Sequence, residues 1–414
     1  MAESGSATTR VIALTPRSQR AASSATLSRA EPWRGHLVPL DGLRGLAILL
    51  VMLLHFTTDM TLPAGSVASG VRSVFQIGWI GVDLFFVLSG FLITGILADN
   101  AGAERYFSVF YARRVLRILP VYFLAVFAAF HLLPHLFGGF DTGGAHTEAA
   151  FWLFFTNFVK LPYQLARTVG HFWSLAIEEQ FYLCWPLVVF LTTRAQARRI
   201  ALVTVILSPI VRFAALSAGV SGDAVYHFTP FRLDGLAAGA FIALSLREPA
   251  ARATLVRYST RVGIVAAVVA AFLYGPLPLP DSLSMLLDFS IGFSALCIAF
   301  GALLARVVLA APRSLLARVL SWPALVTLGT HSYAMYLVHV PLLRVVSKVA
   351  VPPQWSGSLR WPLLWVIGYT AALALLTLGA AIVSWNLCEK HFLALKRYVP
   401  YGAPRPAEMY EAAA

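Results

Sequence analysis

The feature that most constrains this chain is a series of apolar stretches, each about 17–25 residues long, recurring along nearly its whole length. In lipid every backbone N–H and C=O must be satisfied within its own segment, so such runs fold as membrane-spanning α-helices. Read with the helical repeat, ten spans are predicted, at 41–59, 79–98, 119–137, 172–192, 200–217, 232–246, 262–275, 285–305, 323–346 and 362–386. Only 12% of the residues are charged, against about 25% in ordinary soluble domains. With 58% hydrophobic residues and a mean hydropathy of +0.74, a soluble globular protein, a disordered chain and a fibrous repeat are excluded. The expected fold class is an all-α polytopic membrane protein, with no internal repeat and no interspan loop large enough for a second domain.

The net charge of +13 invites a nucleic-acid reading, but the placement of the basic residues supplies another cause. With the N-terminus inside and ten alternating spans, 23 Lys and Arg fall on cytoplasmic segments and seven on the other side. That asymmetry is the positive-inside pattern, so N-in and C-in termini and a bilayer partner are expected, with no nucleic acid. Residues 1–39 lack the apolar core of a secretory signal and read as a disordered cytoplasmic tail. Residues 40–390 form the transmembrane domain and 391–414 a cytoplasmic C-terminal tail. Cys184, Cys297 and Cys388 are far apart, show no metal-binding spacing and are expected in the core.

Charged residues inside spans cost about 2.5–3.5 kcal/mol each on insertion scales, which makes them functional candidates. In the first span, LDGLRGLAILLVMLLHF, Asp41 and Arg44 open the helix and His55 lies eleven residues beyond Arg44. Eleven residues is close to three turns, so Arg44 and His55 share a face about 16 Å apart. Asp59, one turn on, either orients the imidazole or is an exposed residue at the outer helix end. The second span carries Asp83, Ser89 and Gly90, the last two small enough for close helix approach. Arg113, Arg114 and Arg117 cluster before Pro120, either as membrane anchors or as bidentate donors to phosphate. In HFWSLAIEEQFYL, His171, Ser174 and Glu178 fall on one face beside Trp173, with Tyr182 a turn further. At least one of the adjacent Glu178 and Glu179 must meet a polar cavity or a partner such as Arg232 or His171. Arg232 and Asp234 open the sixth span, Tyr336 and His339 share a face of the ninth, and Glu389 ends the last.

Taken together, these segments resemble the acyltransferase-3 family of integral membrane O-acyltransferases. The resemblance rests on the Arg44 to His55 spacing, DLFFVLSGFLI, RRVLRILP, FWSLAIEEQFYL, FRLDGLAAGA, SYAMYLVHVPL and the terminal Glu389, and covers about residues 38–394. It implies transfer of an acetyl or longer acyl group from cytoplasmic acyl-CoA to a hydroxyl of a cell-envelope sugar or a glycosylated secondary metabolite. It also implies a multi-pass protein of the inner (plasma) membrane, here a stand-alone member without the extra hydrolase-like domain some relatives carry. His55 would be catalytic with Arg44 essential, and Arg113, Arg114 and Arg117 would lie on the donor side. The family motif usually has Pro two places after the last glutamate, where this chain has His391.

The chemistry fits independently. Acyl transfer to an alcohol needs a base for the hydroxyl proton and donors for the oxyanion on the thioester carbonyl. His55 suits the first task, and Ser89, Tyr333 or Tyr336 are candidates for the second. Arginines at the inner face would hold the CoA phosphates, while Glu178, Arg232 and Asp234 are expected to line the outer half and organise the acceptor. Transfer runs directly or through an acyl-enzyme. No GxSxG elbow points to a serine nucleophile and no HExxH to a catalytic metal, so acyl-CoA is expected as a substrate with no bound cofactor. The rival readings are a proton-coupled transporter or flippase, for which paired broken helices in repeated halves are missing, and a non-enzymatic scaffold.

Overall fold

The structure, a computed structural model, describes residues 35–137, 141–275, 279–349 and 361–401. Residues 1–34 and 402–414, most of the two expected tails, lie outside the described residues. Helix dominates and no strand forms among the described residues. The principal helices are α1 (Val38–Thr57), α2 (Ile80–Asp99), α3 (Tyr106–Phe127), α4 (Trp173–Leu191), α5 (Arg194–Ser217), α6 (Leu233–Leu246), α7 (Pro249–Leu273), α8 (Phe293–Val308), α9 (Pro323–Thr330), α10 (Ser332–Val349) and α11 (Pro362–Ser384).

Among the described residues, eight helical segments are long and apolar enough to cross a bilayer, so the chain is a polytopic all-α membrane protein. The other two expected spans take different forms. The sixth is the 14-residue α6, about 21 Å long at 1.5 Å per residue and short of the roughly 30 Å hydrocarbon core. Twelve of its residues are buried, so it is a central strut of the bundle, enclosed mainly by other helices. The ninth is broken at His331 into α9 and α10. Two boundaries also move. Helix α3 starts at Tyr106, so Arg113, Arg114 and Arg117 lie on the helix and not ahead of it. Helix α7 starts at Pro249 and buries few residues, as suits a peripheral span.

Local chemistry sets the ends. Thr193 stops α4 and starts α5: its Oγ1 accepts from the Gln196 N–H at 3.3 Å, while Gln196 Oε1 accepts from the Thr193 N–H at 2.9 Å. Beyond α11 the chain stays helical to Tyr398 and packs on α3, although 391 onward was expected as tail. Of the cysteines, Cys297 is buried, Cys388 half-buried and Cys184 exposed, so Cys184 departs from the core expectation.

Two backbone-close contacts hold the centre. Gly90 of α2 packs on the Leu236 carbonyl of α6, and Gly239 of α6 on the Val87 carbonyl of α2; any Cβ at either site would overlap a backbone oxygen. Small residues let helix backbones approach in lipid, where apolar burial between helices contributes little. Just beyond α1, Asp59 ties the end of that helix to Arg344, near the end of α10, and to Arg167, ahead of α4. It accepts from Arg344 Nη1 at 2.7 Å and pairs with Arg167, and Arg344 Nε donates to the Arg167 carbonyl at 2.8 Å. Burial pushes the Asp59 carboxyl up, but the bonds from Arg344 and Arg167 outweigh it and hold it below the usual range.

Two stability predictions follow from these contacts. Gly239→Val should destabilise the detergent-solubilised protein by at least about 2 kcal/mol in a thermal melt, whereas Gly368→Ala, with nothing within 4 Å of the new Cβ, should not. Because the folded carboxyl titrates below its unfolded value, the Asp59 clamp is fully formed above the unfolded pKa and is lost as pH falls through the folded one. The Tm difference between wild type and Asp59→Asn should therefore be present at neutral pH and vanish on acidification; a pH-independent difference would contradict the clamp.

Candidate active site

Among the described residues, the most deeply buried charges pair with one another and line neither of the two pockets described below. Arg232 Nη2 donates to Asp83 Oδ1 at 2.6 Å, both side chains being 1% exposed. The guanidinium lies 4.0 Å from the Phe293 ring centroid and 5.1 Å from that of Tyr226, so aromatic faces carry its remaining charge. Arg212, which spacing alone did not single out, donates to Asp234 Oδ2 at 2.8 Å, and Ser294 donates to the same oxygen at 2.8 Å. Arg232 and Asp234, expected to line the outer half, are instead sealed between α2, α5, α6 and α8. Their signal in the sequence was real, since an intramembrane charge needs a partner, but the partners lie in other helices.

Two pockets of the described residues hold the other candidate residues. The first, about 240 Å³, is lined by Arg44 near the start of α1, Ile96 near the end of α2, and Arg114 and Arg117 of α3. Glu178 and Glu179 of α4 face it too, so Glu178 stands beside Arg44 and not on the side of His55 where it was expected. Ser89 donates to Glu178 Oε2 at 2.9 Å and Tyr182 to the same oxygen at 2.7 Å. Leu88, Leu92 and Ile93 supply an apolar wall. Arg113 is outside the lining. It donates to the Val399 carbonyl at 2.8 Å and stacks 5.1 Å from the Tyr401 ring, latching the C-terminal segment onto α3.

The second pocket, about 740 Å³, opens at the other end of α1 and contains His55, His171, Trp173, Lys160, Tyr226 and His227. Three imidazoles cluster here, His55 and His171 in the lining and His339 buried behind them: the His55 and His339 ring centroids are 4.9 Å apart, His171 and His339 4.8 Å, and His55 and His171 5.9 Å. Their tautomers follow from their partners, because a carbonyl can only accept. His339 Nδ1 lies 2.8 Å from the Tyr336 carbonyl and so carries a proton, which leaves Nε2 as an acceptor. That Nε2 is 3.2 Å from His55 Nδ1, which is also 2.9 Å from the Val51 carbonyl and therefore carries a proton. A neutral His55 then holds its lone pair on Nε2. His171 donates from Nε2 to the same Tyr336 carbonyl at 2.9 Å. Among the described residues no set of three His, Cys, Asp or Glu is arranged to hold a metal ion.

The three hydroxyls weighed as oxyanion donors are already engaged. Ser89 bonds Glu178, Tyr333 donates to the Ile118 carbonyl at 2.8 Å, and Tyr336 donates to the His171 carbonyl at 2.9 Å. Asp59 belongs to the clamp with Arg167 and Arg344 and does not orient His55. Asp41 sits in the first turn of α1, and its carbonyl abuts Gly329 of α9. Glu389 is buried in the turn that follows α11, where Ser384 donates to it at 3.3 Å. Sequence reasoning did not single out Lys160, Asn157, Tyr226 or His227. They lie on connections too polar to score as spans, and their only signal was that polarity. Asn157 is held by Thr229 at 2.9 Å and Gln180 at 3.0 Å, which fixes this rim.

The chain is thus an all-α membrane bundle with histidines gathered in one pocket and arginines in the other. Residues 38–385 match the acyltransferase-3 family, described as an acyltransferase domain, and the chain belongs to that family. It is 30% identical over 379 residues to YrhL of Bacillus subtilis, covering 85% of this chain and 54% of that protein. It is 27% identical over 347 residues to the peptidoglycan O-acetyltransferase OatA of Listeria monocytogenes, covering 79% and 53%. It is 30% identical over 337 residues to the O-acetyltransferase OatA of Staphylococcus aureus, covering 77% and 52%. The chain thus spans about half the length of the curated relatives it matches. No solved structure matches it significantly.

Proposed function

We propose that this chain is an O-acyltransferase of the plasma (inner) membrane, with both termini cytoplasmic, which moves an acetyl group from acyl-CoA to a hydroxyl of a cell-envelope polysaccharide. The observation that carries the reading is the His55 imidazole, its Nδ1 proton held between Val51 and His339 and its Nε2 lone pair left for a substrate, in a pocket adjoining an arginine-lined one. The relatives named as O-acetyltransferases support acetyl as the group moved, and the one named for peptidoglycan supports a glycan acceptor. An acceptor hydroxyl fits the second pocket, whose Trp173 and Tyr226 rings offer flat apolar faces to a sugar.

The donor's phosphates would be held by Arg114 and Arg117, with the chain of the donor along Leu88 and Leu92. The acceptor hydroxyl gives its proton to His55 Nε2 as its oxygen attacks the thioester carbon. The C–S bond breaks, the ester C–O bond forms, and the proton passes from His55 to the departing thiolate. His339 stabilises the imidazolium by accepting from Nδ1–H, as the orienting partner of a catalytic histidine does. Arg44 lies in the donor pocket beside Glu178, so its part is in holding the donor and not in contacting the base.

Purified protein supplied with acetyl-CoA should release thiol. His55→Ala should lower that rate about 10²–10⁴-fold. His339→Ala should lower kcat with KM for acetyl-CoA unchanged and shift the pH profile, while Arg114→Ala should raise KM. Wild-type thiol release that survives intact in His55→Ala would contradict the mechanism.

A further inference from the structure

The arginines of the first pocket are left without bonded partners. Arg44, Arg114 and Arg117 all line it, and among the described residues their side chains make no hydrogen bond or ion pair. Arg114 has only the face of the Tyr182 ring, 5.9 Å from its guanidinium carbon. The neighbouring carboxylates do not bind them. Glu178 accepts from Ser89 and Tyr182 at 2.9 and 2.7 Å, and Glu389 accepts from Ser384 at 3.3 Å. Glu179 faces the same pocket and forms no ion pair with Arg114 among the described residues.

A fourth cation joins them from a part of the chain expected to be tail. Residues 390–398 pack on α3, which carries Arg113, Arg114 and Arg117. Arg113 fixes this segment, donating to the Val399 carbonyl at 2.8 Å and stacking 5.1 Å from the Tyr401 ring. Lys396 is thereby held where the charges of Arg117, Arg114 and Arg113 all reach it and repel it. It is half-buried, and its ammonium makes no hydrogen bond or ion pair among the described residues. The adjacent Arg397 does not share this role, because it donates to the Tyr398 hydroxyl at 2.6 Å. Like charges held together in a partly desolvated place repel strongly, and an anion seated among them reverses the sign of the interaction. Arginine offers phosphate a bidentate fork and lysine a compact charge, so the two suit different oxygens of a group carrying several phosphates.

We infer that Lys396 binds the phosphate-bearing end of the acyl donor together with Arg114 and Arg117, so that the C-terminal segment forms one wall of the donor site. This deepens the acyltransferase reading and rests on it. The arginines lie in the lining of the pocket and Lys396 lies outside it, so the cations continue from the pocket onto residues 390–398. A donor whose acyl end points inward would leave its nucleotide phosphates along that line. A lipid headgroup offers phosphate too, and a soluble nucleotide competitor separates the two sources.

The test measures thiol release from acetyl-CoA by wild type, Lys396→Ala and Lys396→Arg in detergent free of phospholipid, with adenosine 3′,5′-bisphosphate or pantetheine as competitor. Lys396→Ala is expected to raise KM for acetyl-CoA and Ki for the bisphosphate at least about fivefold, the loss of one charge-assisted contact. Its kcat and its Ki for pantetheine are expected to stay within about twofold of wild type, and Lys396→Arg to restore both constants. Melted without donor, Lys396→Ala should be no less stable than wild type, because only repulsion has been removed. An unchanged KM, an equal rise in Ki for both competitors, or no inhibition of wild type by the bisphosphate overturns the role of Lys396 and leaves the acyltransferase reading standing. A difference between wild type and Lys396→Ala that appears only on adding phosphatidylglycerol assigns the cations to a lipid headgroup and also overturns it. Absence of thiol release from acetyl-CoA in wild type overturns both.

Discussion

The α2–α6 contact carries the structure. In lipid, helices gain little from burying apolar surface against one another, so association depends on close packing and on polar groups that have nowhere else to go. Both operate here along one seam. Gly90 and Gly239 bring the two backbones together, and the Asp83–Arg232 pair locks them a little further along. Separating the helices would leave two charges in hydrocarbon, and breaking a buried pair by removing one partner typically costs about 3–5 kcal/mol. Arg212 and Asp234 extend the seam to α5 and α8. Because this core is sealed, the pockets are left to the histidines and the remaining arginines.

Much of the scaffold is legible in the sequence, because a bilayer demands long apolar runs and the chain supplies them. Which charges belong together is not. Spacing along one helix shows that Arg44 and His55 share a face and that His171, Ser174 and Glu178 do too. It does not show that those faces run from one pocket to the other, so that His171 joins His55 while Glu178 joins Arg44. Pairings such as Asp83 with Arg232, 149 residues apart, are tertiary facts with no local trace. The break at His331 was likewise hidden, and the sixth span, already short in the sequence, showed no sign that it is enclosed by protein, since hydropathy measures length of apolar chain and is silent on whether lipid or protein surrounds it. Arg113, Arg114 and Arg117 look equivalent as a string. On a helix beginning at Tyr106, Arg113 turns to Val399 while the other two turn inward.

The histidine cluster gains its meaning from carbonyls. Each of the three imidazoles places a nitrogen against a backbone oxygen, and those contacts decide where the protons are. His55 emerges with a free lone pair and a second imidazole behind it, an arrangement suited to taking and returning one proton. A helix break at His331, and α10 beginning just before Tyr333, supply the element on which Tyr336 and His339 are presented to α1 and α4.

The central claim of the proposed function is that donor and acceptor occupy adjoining pockets, which would open to opposite faces of the membrane. The most direct measurement is side-specific thiol labelling in oriented vesicles, with Cys184, Cys297 and Cys388 replaced by serine and Ile96→Cys or Lys160→Cys introduced singly. Ile96→Cys should label from the face that bears the C-terminus and be protected by acetyl-CoA, and Lys160→Cys should label from the other face without protection. Labelling of both from one face, or protection of Lys160→Cys by acetyl-CoA, would contradict the account.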